Sequence, residues 1–412
     1  MFLAHPLRHD TRVEKEAAAL VDAGFEVRIV ATAFPGLPAR EDRGGATVLR
    51  VDDDPLPARF VRSLLRPGGG GAPGTVLTRE SAERSNLRAR LVRGALRVHL
   101  RMVWRRYMRR ALRAVGERPA AVWIAHDLET LPLALLARRR HGGRVLYDSH
   151  ELFVESSLAR WEGRRWARIE RRTIGQADAV VTVSDSIAAE LARRYQIAAP
   201  EVILNAPDAP ARDGVEPVDL RRELDLPADT RIALYLGGIV QHRGLEELIA
   251  AAAERPDLAV VMLGPSMDAY RGMLERLAAE LGVGRRVRFL PPVAPREIGR
   301  YAAGADVGLS TIQATFLNYR YALPNKLFDY LHAGLPIVVS DFPDMRALVE
   351  RHEVGATCDP TCPRSVAEAI DRVAADPQLR RNALAAARHY TWERERAKLV
   401  ALVRRLETTG RP

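Results

Sequence analysis

Residues 318–341 read NYRYALPNKLFDYLHAGLPIVVSD, and no other stretch of this 412-residue chain carries as specific a pattern. Pro324 suits the first turn of a helix, because its fixed φ matches the helix and the missing N–H needs no partner there. The residue before a proline is also pushed away from helical backbone. The stretch therefore predicts a helix that begins near Pro324 and is followed by a buried strand at residues 336–341.

The start of this predicted helix is suited to binding a diphosphate. The N–H groups of Asn325, Lys326 and Leu327 would point out of the helix start, where the helix dipole favours an anion, and Lys326 adds a full positive charge. Asp329 lies one turn further on and would accept hydrogen bonds from ribose hydroxyls. The alternative is an ordinary capped helix whose lysine is solvated.

The same alternation of apolar strand and amphipathic helix recurs along the whole chain. The strand candidates are dense in Val, Ile and Leu, which is typical of strands buried on both faces of a parallel sheet. This rhythm predicts an α/β fold with helices on both faces of each sheet. The predicted strands are residues 2–5, 26–32, 47–52, 121–126, 144–150, 179–185 and 201–206 in the first half, and 231–238, 257–264, 287–293, 307–312 and 336–341 in the second.

The two series of strands predict two Rossmann-like domains that face each other across a cleft. The first domain would cover residues 1–206 and the second residues 207–390, joined by a segment rich in Pro and Asp at 206–230. A last helix at 391–412 has no strand after it, and we expect it to pack back on the first domain.

Polar residues follow the predicted strands, at the edge where open parallel sheets bind ligands. In the first half these are His5 and Asp10, His126, and the pair His150 and Glu151. The second half has a glycine turn, at which backbone N–H groups can approach an anion. This turn is neither a Walker A loop nor a Gly-x-Gly-x-x-Gly fingerprint. Its residues are Gly237 and Gly238, followed by Arg243 and Gly244.

Taken together, these motifs resemble glycosyltransferase family 4, the large retaining group with the GT-B fold. The resemblance extends over both predicted domains, and the segment at 323–341 is its strongest part. The matching segments are HDTRVEKEAAALVDAGFEV (9–27), AHDLETLP (125–132), YDSHELF (147–153), DAVVTVSDSI (178–187), VILNAPD (202–208), LYLGGIVQHRGLEELI (234–249), VRFLPPV (287–293) and LPNKLFDYLHAGLPIVVSD (323–341).

The resemblance implies roles for single residues. His126 would face the donor sugar and the reacting centre. Arg243 takes the place of the family's diphosphate-binding lysine. Asn325 and Lys326 fall where backbone amides bind phosphate. Asp329 matches the second acidic residue of a Glu-x7-Glu motif, which holds ribose.

Two positions depart from the family pattern. Tyr321 stands where the first motif glutamate would lie in the catalytic centre, and Gly238 stands where the family has a diphosphate arginine. These departures keep alternatives open: a nucleotide-sugar epimerase or phosphorylase with the same fold, or a degenerate binder without catalysis.

The function expected from the resemblance is transfer of a sugar from a nucleotide-diphosphate sugar to an acceptor hydroxyl, in cell-envelope glycan, polysaccharide or glycolipid synthesis. The nucleotide sugar is a co-substrate, and we expect no cofactor and no bound metal. The donor would lie on the second domain and the glycan or lipid-linked acceptor on the first. The acceptor-side candidates are His5, Asp10, His150 and Glu151.

The formal charge of +11 and the pI of about 10.1 favour an anionic partner. Much of this charge lies in an arginine-rich helical segment at residues 79–118, after a glycine-rich loop at 67–74. Its apolar stripes permit two interpretations: solvated helices packed on the first sheet, or a basic surface resting on anionic lipid. Nucleic acid is not expected, because aromatic residues for base stacking are sparse, with only Trp104 and Tyr107.

Other classes of protein are disfavoured by composition. Cys358 and Cys362 are too few for a disulfide framework or a zinc site. No apolar run reaches the roughly 18 residues of a membrane span, and the first residues lack the layout of a secretory signal. We therefore expect a cytoplasmic protein, which under the second interpretation of the basic segment would be peripheral on the inner face of the cell membrane.

The DDD at 52–54 resembles a metal-binding motif of another fold, an interpretation that we do not favour.

Overall fold

This computed structural model describes residues 1–8, 10–52, 87–156, 160–208 and 216–409 of the chain. The predicted loop at 67–74, the first part of the basic segment at 79–86, and two residues of the DDD motif, Asp53 and Asp54, lie outside the described residues. The chain divides into two compact units, Met1–Tyr147 with Arg405–Pro412, and Asp148–Arg404. The predicted domain boundaries at residues 206 and 390 stay predictions.

The first unit holds a mixed sheet with helices packed on it. Its sheet has the order β1-β3-β2, with β1 and β3 parallel and β2 and β3 antiparallel. A strand was predicted at 2–5, but only Phe2 forms bridges there, to Val30 and Ala125, and so lies between β1 and β4. The elements are β1 Arg28–Thr32, β2 Arg40–Arg43, β3 Ala46–Val51, β4 Val122–His126, β5 Arg144–Ser149, which ends at the boundary between the units, and helices α1 Thr11–Asp22, α2 Leu87–Val115 and α3 Leu131–His141.

Helix α2 contains most of the basic segment and packs on this sheet through its aromatic residues. The Tyr107 hydroxyl donates to the Leu3 carbonyl at 2.6 Å, and the Trp104 indole donates to the Glu129 carbonyl at 3.0 Å. Asp52 pairs with Arg106 at 2.7 Å and with Arg110 at 3.3 Å. These contacts fix one face of α2, while Val98, Met102 and Arg105 are exposed.

The second unit contains two short strands, a larger sheet and many helices. The two short strands, β6 and β7, pair in parallel. The elements are β6 Ala179–Thr182, β7 Glu201–Val202, β8 Arg231–Leu236, β9 Leu258–Leu263, β10 Val287–Leu290, β11 Val307–Ser310, β12 Ile337–Ser340, β13 Gly355–Cys358, and helices α4 Arg160–Thr173, α5 Asp185–Tyr195, α6 Leu220–Glu223, α7 Leu245–Ala253, α8 Asp268–Glu280, α9 Pro295–Ala303, α10 Leu317–Arg320, α11 Lys326–His332, α12 Pro343–His352, α13 Pro363–Ala374, α14 Gln378–Ala387 and α15 Trp392–Thr409, which ends in the first unit.

The larger sheet has six parallel strands in the order β10-β9-β8-β11-β12-β13. Counted within the sheet, this is the 3-2-1-4-5-6 order of a Rossmann fold, and the order of the strands reverses between β8 and β11. Such sheets bind ligands at this reversal, outside the carboxyl ends of the strands. Buried apolar residues cover both faces of the sheet, as the Val- and Ile-rich strands predicted.

None of the helices in the described ranges combines the length and apolar composition that crossing a bilayer requires.

Candidate functional site

Two glycines allow the carboxyl ends of β8 and β9 to come together. Gly237 follows β8, has φ 122°, and its N–H donates to the Leu263 carbonyl at 3.0 Å. Gly264 follows β9 and has φ 152°. A Cβ atom on Gly264 would lie 2.2 Å from the Gly237 carbonyl oxygen, which is closer than any side chain tolerates. Only glycine fits at residue 264, so the sequence-predicted glycine turn is a close approach of two strand ends.

The ammonium group of Lys326 lies at this junction. Its Nζ is 3.6 Å from the centroid of the Tyr235 ring. A Cβ on Gly237 would come within 3.4 Å of the same Nζ. Tyr235 is buried in β8, and its hydroxyl donates to the Gly238 carbonyl at 2.9 Å. The lysine side chain therefore rests on an aromatic face, beside the first glycine of the turn.

Arg243 is held by a strained loop that packs against the end of β11. The residues on either side of it, His242 and Gly244, have φ 65° and 69°. The Thr311 hydroxyl donates to the Arg243 carbonyl at 3.1 Å, and a Cβ on Gly244 would lie 2.3 Å from the Thr311 carbonyl oxygen. The guanidinium carbon of Arg243 is 4.9 Å from the centroid of the Tyr319 ring. Each cation of the site thus lies over its own aromatic ring.

The two cations act on each other electrostatically. The pKa of Lys326 is lowered well below the ordinary lysine value, first by burial of the amine and then by the charge of Arg243, while Asp329 raises it. Burial raises the pKa of Tyr235 to about 12, so this phenol stays neutral. An anion bound beside Lys326 and Arg243 would relieve their repulsion, and this makes the junction a receptive place for phosphate groups.

The start of α11 differs in one respect from the prediction. The amide of Leu327, which we expected to be free, donates to the Pro324 carbonyl at 3.0 Å, because residues 324–327 form a tight turn at the helix start. Within the described residues, the amides of Asn325 and Lys326 have no hydrogen-bond acceptor. Two of the three expected N–H groups remain available to a ligand.

The other donor-side candidates lie near this helix start. Asp329 is half-buried on α11, and its charge acts on Lys326. Tyr321 ends the short helix α10, and its carbonyl accepts a hydrogen bond from the Ser184 hydroxyl at 2.8 Å. The Gly238 carbonyl is occupied by Tyr235. The roles assigned to these residues by the resemblance stay predictions.

The structure brings His5 and Asp10 together, as candidates on one loop. His5 Nε2 lies 3.1 Å from Asp10 Oδ2. The loop turns at Leu7, which has φ 51° and donates its N–H to His5 Nδ1 at 3.3 Å. The other carboxylate oxygen of Asp10 accepts the N–H of Val13 and so caps α1. Asp10 therefore holds both a helix start and a histidine.

His126 ends β4 and is buried. The backbone N–H of His126 donates to the Phe2 carbonyl at 3.2 Å, and its backbone carbonyl accepts a hydrogen bond from the Thr130 hydroxyl at 2.8 Å. Asp127 then turns the chain with φ 62°, an uncommon conformation for a residue with a side chain. The backbone on both sides of this histidine is thus closely specified.

The remaining acceptor-side candidates, His150 and Glu151, both have polar partners. His150 Nε2 is 2.9 Å from a carboxylate oxygen of the buried Asp148. Glu151 accepts a hydrogen bond from Asn318 Nδ2 at 2.8 Å, while Asn318 Oδ1 accepts the Leu152 N–H at 3.0 Å. The sequence did not predict a functional role for Asn318, or for the rings of Tyr235 and Tyr319 on which the two cations lie. Asn318 begins the 318–341 stretch, and Tyr235 lies two residues before Gly237, so position was the only signal for them.

Comparisons with known proteins agree with this architecture. Residues 9–208 match the family described as "Glycosyl transferase 4-like domain", and residues 219–390 match "Glycosyl transferases group 1". Together with the structural neighbours below, these two matches support a GT-B glycosyltransferase of the family 4 type. Its fold is GT-B, and the α/β class expected from the sequence is confirmed.

The relatives are distant. A D-inositol 3-phosphate glycosyltransferase of Corynebacterium urealyticum is 28% identical over 58% of this chain and 59% of its own length. One from Mycobacterium tuberculosis is 29% identical over 66% of this chain and 58% of its own length. The matches thus span less than two thirds of these curated relatives.

Solved structures share the fold over nearly the whole chain. Sucrose-phosphate synthase from Thermosynechococcus elongatus superposes with a TM-score of 0.75 at 20% identity, covering 99% of this chain and 96% of its own. HepE of Anabaena, solved with UDP and glucose, superposes with a TM-score of 0.68 at 15% identity, covering 98% of each chain.

Proposed function

We propose that this protein transfers a sugar from a nucleotide-diphosphate sugar to an acceptor hydroxyl, and that the diphosphate binds between Lys326 and Arg243. The observation that carries the proposal is the position of the Lys326 ammonium, beside Gly237 at the carboxyl end of β8 and within the field of Arg243. The match to inositol phosphate glycosyltransferases and the UDP held by HepE support this class of donor.

The chemistry follows from where charge develops. As the bond between sugar and diphosphate breaks, negative charge grows on the leaving phosphate. Preorganised donors aimed at such charge are commonly the largest contribution to catalysis. Lys326, Arg243 and the free amides of Asn325 and Lys326 are these donors. Asp329 would accept hydrogen bonds from ribose hydroxyls.

The finer features of the reaction are also proposals. We infer a retaining mechanism, in which His126 orients the donor sugar and the acceptor hydroxyl passes its proton to the departing phosphate oxygen. Tyr321 would line the sugar site, in place of the carboxylate that the family pattern has there. We assign the acceptor to the loop of His5 and Asp10 and to the segment that follows β5, with His150 and Glu151. Two side-chain cations at the diphosphate support a reaction that needs no bound metal or other cofactor.

A thermal-shift panel of UDP, GDP, ADP and their sugars, run with and without EDTA, tests the donor site. At a hundredfold excess over Kd, a ligand that binds only the folded state stabilises it by about 2.7 kcal/mol. We expect the nucleoside diphosphate of one base, and its sugar, to raise Tm by several degrees, equally with and without EDTA. A panel in which no diphosphate raises Tm would contradict the proposed site, and a shift lost in EDTA would contradict metal independence.

We further propose that the enzyme works in cell-envelope glycan, polysaccharide or glycolipid synthesis, in the cytoplasm and in part on the inner face of the membrane. Support comes from the face of α2 that turns away from the sheet. Val98 and Met102 are 55% and 40% exposed on it, and Arg101, Arg105 and Arg109 are exposed around them. Apolar side chains ringed by arginines suit an anionic lipid surface.

Co-sedimentation with vesicles tests this membrane contact. Each arginine near an anionic surface contributes about 1 kcal/mol, so the change Arg105→Glu should weaken binding to phosphatidylglycerol vesicles at least about tenfold at low salt. Arg296→Glu, at a highly exposed arginine on α9, should change it little. If the wild-type protein does not pellet with anionic vesicles at low salt, the membrane contact is refuted.

A further inference from the structure

We propose that Tyr235 is a positioning residue for donor binding, whose ring face holds the Lys326 ammonium against the diphosphate. The inference rests on the proposed function of the site and adds to it a residue with no predicted role. It assigns the ring and the hydroxyl of Tyr235 separate tasks, which can be tested one at a time.

The contact between ring and ammonium is close and specific. Lys326 Nζ lies 3.6 Å from the centroid of the Tyr235 ring, well inside the roughly 6 Å within which a cation is attracted to an aromatic face. The absence of a side chain at Gly237 leaves space beside the ammonium, since a Cβ there would be only 3.4 Å from Nζ. The ring supports the amine from one side while the glycine keeps space beside it.

The ring itself is rigidly mounted. Tyr235 lies in β8 between two parallel neighbours, paired in register with Met262 of β9 and Leu309 of β11. It is 1% exposed, and its hydroxyl is anchored on the Gly238 carbonyl at 2.9 Å. The ring therefore has little freedom to move away when the ligand arrives.

This support matters because the surroundings of the lysine disfavour a charge. Burial and Arg243 both lower the pKa of Lys326, and Asp329 opposes them only in part. The electron-rich ring face is a further attraction for the charged amine. Without it, the ammonium would lose a partner at the place where the diphosphate needs it.

The test keeps the shape of the ring and changes its electrostatics. Wild type, Tyr235→Phe and Tyr235→pentafluorophenylalanine are compared for binding of inorganic pyrophosphate and UDP by calorimetry. Phenylalanine keeps the aromatic face, so we expect affinity within about threefold of wild type. Fluorination removes the negative face, so we expect a further loss of about tenfold. Equal affinities for the Phe and fluorinated variants would overturn the inference.

A double variant separates positioning from a general packing effect. In a Lys326→Met background, fluorination at residue 235 should cause no further loss of pyrophosphate affinity, because the ammonium it acts on is gone. An equal loss in both backgrounds would show that the ring acts through packing and would overturn the inference. If wild type binds neither pyrophosphate nor UDP, the proposed function fails instead, and the two failures are distinguishable.

Discussion

Replacing Lys326 with methionine should weaken nucleoside-diphosphate binding about 10- to 100-fold and, at the same time, raise the Tm of the unliganded protein. Charge-assisted hydrogen bonds contribute about 1.5–3 kcal/mol, and this site offers few other cations to replace the lost one. Methionine fills a similar volume and packs well against the Tyr235 ring. If the negative charge of the leaving diphosphate develops beside Lys326, kcat should fall by about 100- to 1000-fold.

The stability gain follows from the sign of the pKa change. The pKa of Lys326 is lower in the folded state than in the unfolded chain, so between these two values the unfolded state binds more protons. The wild-type protein therefore gains stability as pH rises through that window and carries a cost below it. Methionine removes this cost, and each kcal/mol recovered raises Tm by about 1 °C in a chain of this size, because the unfolding entropy is about 2.1 cal/mol/K per residue.

Lys398→Met provides the matched control. Lys398 pairs with Glu395 at 2.9 Å on α15, away from the glycine junction, and Glu395 is almost fully buried. Its loss leaves the buried Glu395 carboxylate without this cation, so Tm should fall, while diphosphate affinity should stay unchanged. Calorimetry and thermal melts at pH 6 to 9 would measure both effects. An unchanged affinity in Lys326→Met would remove this residue from the donor site, and a lower Tm would contradict the assigned cost of its burial.

Replacing Gly264 with alanine should destabilise the protein by about 2–4 kcal/mol and abolish diphosphate binding. The new Cβ would lie 2.2 Å from the Gly237 carbonyl oxygen, at a φ of 152° that side chains rarely adopt. Because both atoms belong to strand ends, relief requires β8 or β9 to move. Gly237 would then shift relative to Lys326, and the ligand site would lose its shape.

Gly282→Ala separates backbone strain from the clash. Gly282 has φ 71°, but a Cβ there would meet no atom within 4 Å. We expect a cost of about 1 kcal/mol for the left-handed backbone and unchanged pyrophosphate affinity. Thermal melts of both variants measure the loss of stability, and calorimetry measures their pyrophosphate affinity. If Gly264→Ala binds pyrophosphate as Gly282→Ala does, the close approach of β8 and β9 is unimportant for the site.

The sequence predicted the elements with strong periodic patterns and missed those without them. The apolar runs at 231–238 and 257–264 became the neighbouring strands β8 and β9. Strand β2, with the sequence REDR, was missed because it is a charged edge strand, in which Glu41 and Arg43 are half-buried in ion pairs and the alternate residues are exposed. Strand β13 is short and only partly buried, and its sequence GATC has no run of branched residues.

The candidate site was predictable only where its residues lie close together in sequence. The glycine turn, Arg243 and Lys326 could be picked out from local patterns. Tyr235 could not, because its position in an apolar strand is equally typical of a core residue, and its contact with Lys326 joins residues far apart in the chain. The hydrogen bond made by the Leu327 amide depends on the exact turn at Pro324, which composition does not specify.

The two cations differ in what they are mounted on. Lys326 rests on Tyr235, a residue of the central strand, whereas Arg243 rests on Tyr319 of the four-residue helix α10. Exchange of residues 313–323 between homologues would therefore redirect the guanidinium while the ammonium keeps its place. Changes to donor preference could therefore be made at the Arg243–Tyr319 contact, while the Lys326–Tyr235 contact stays fixed.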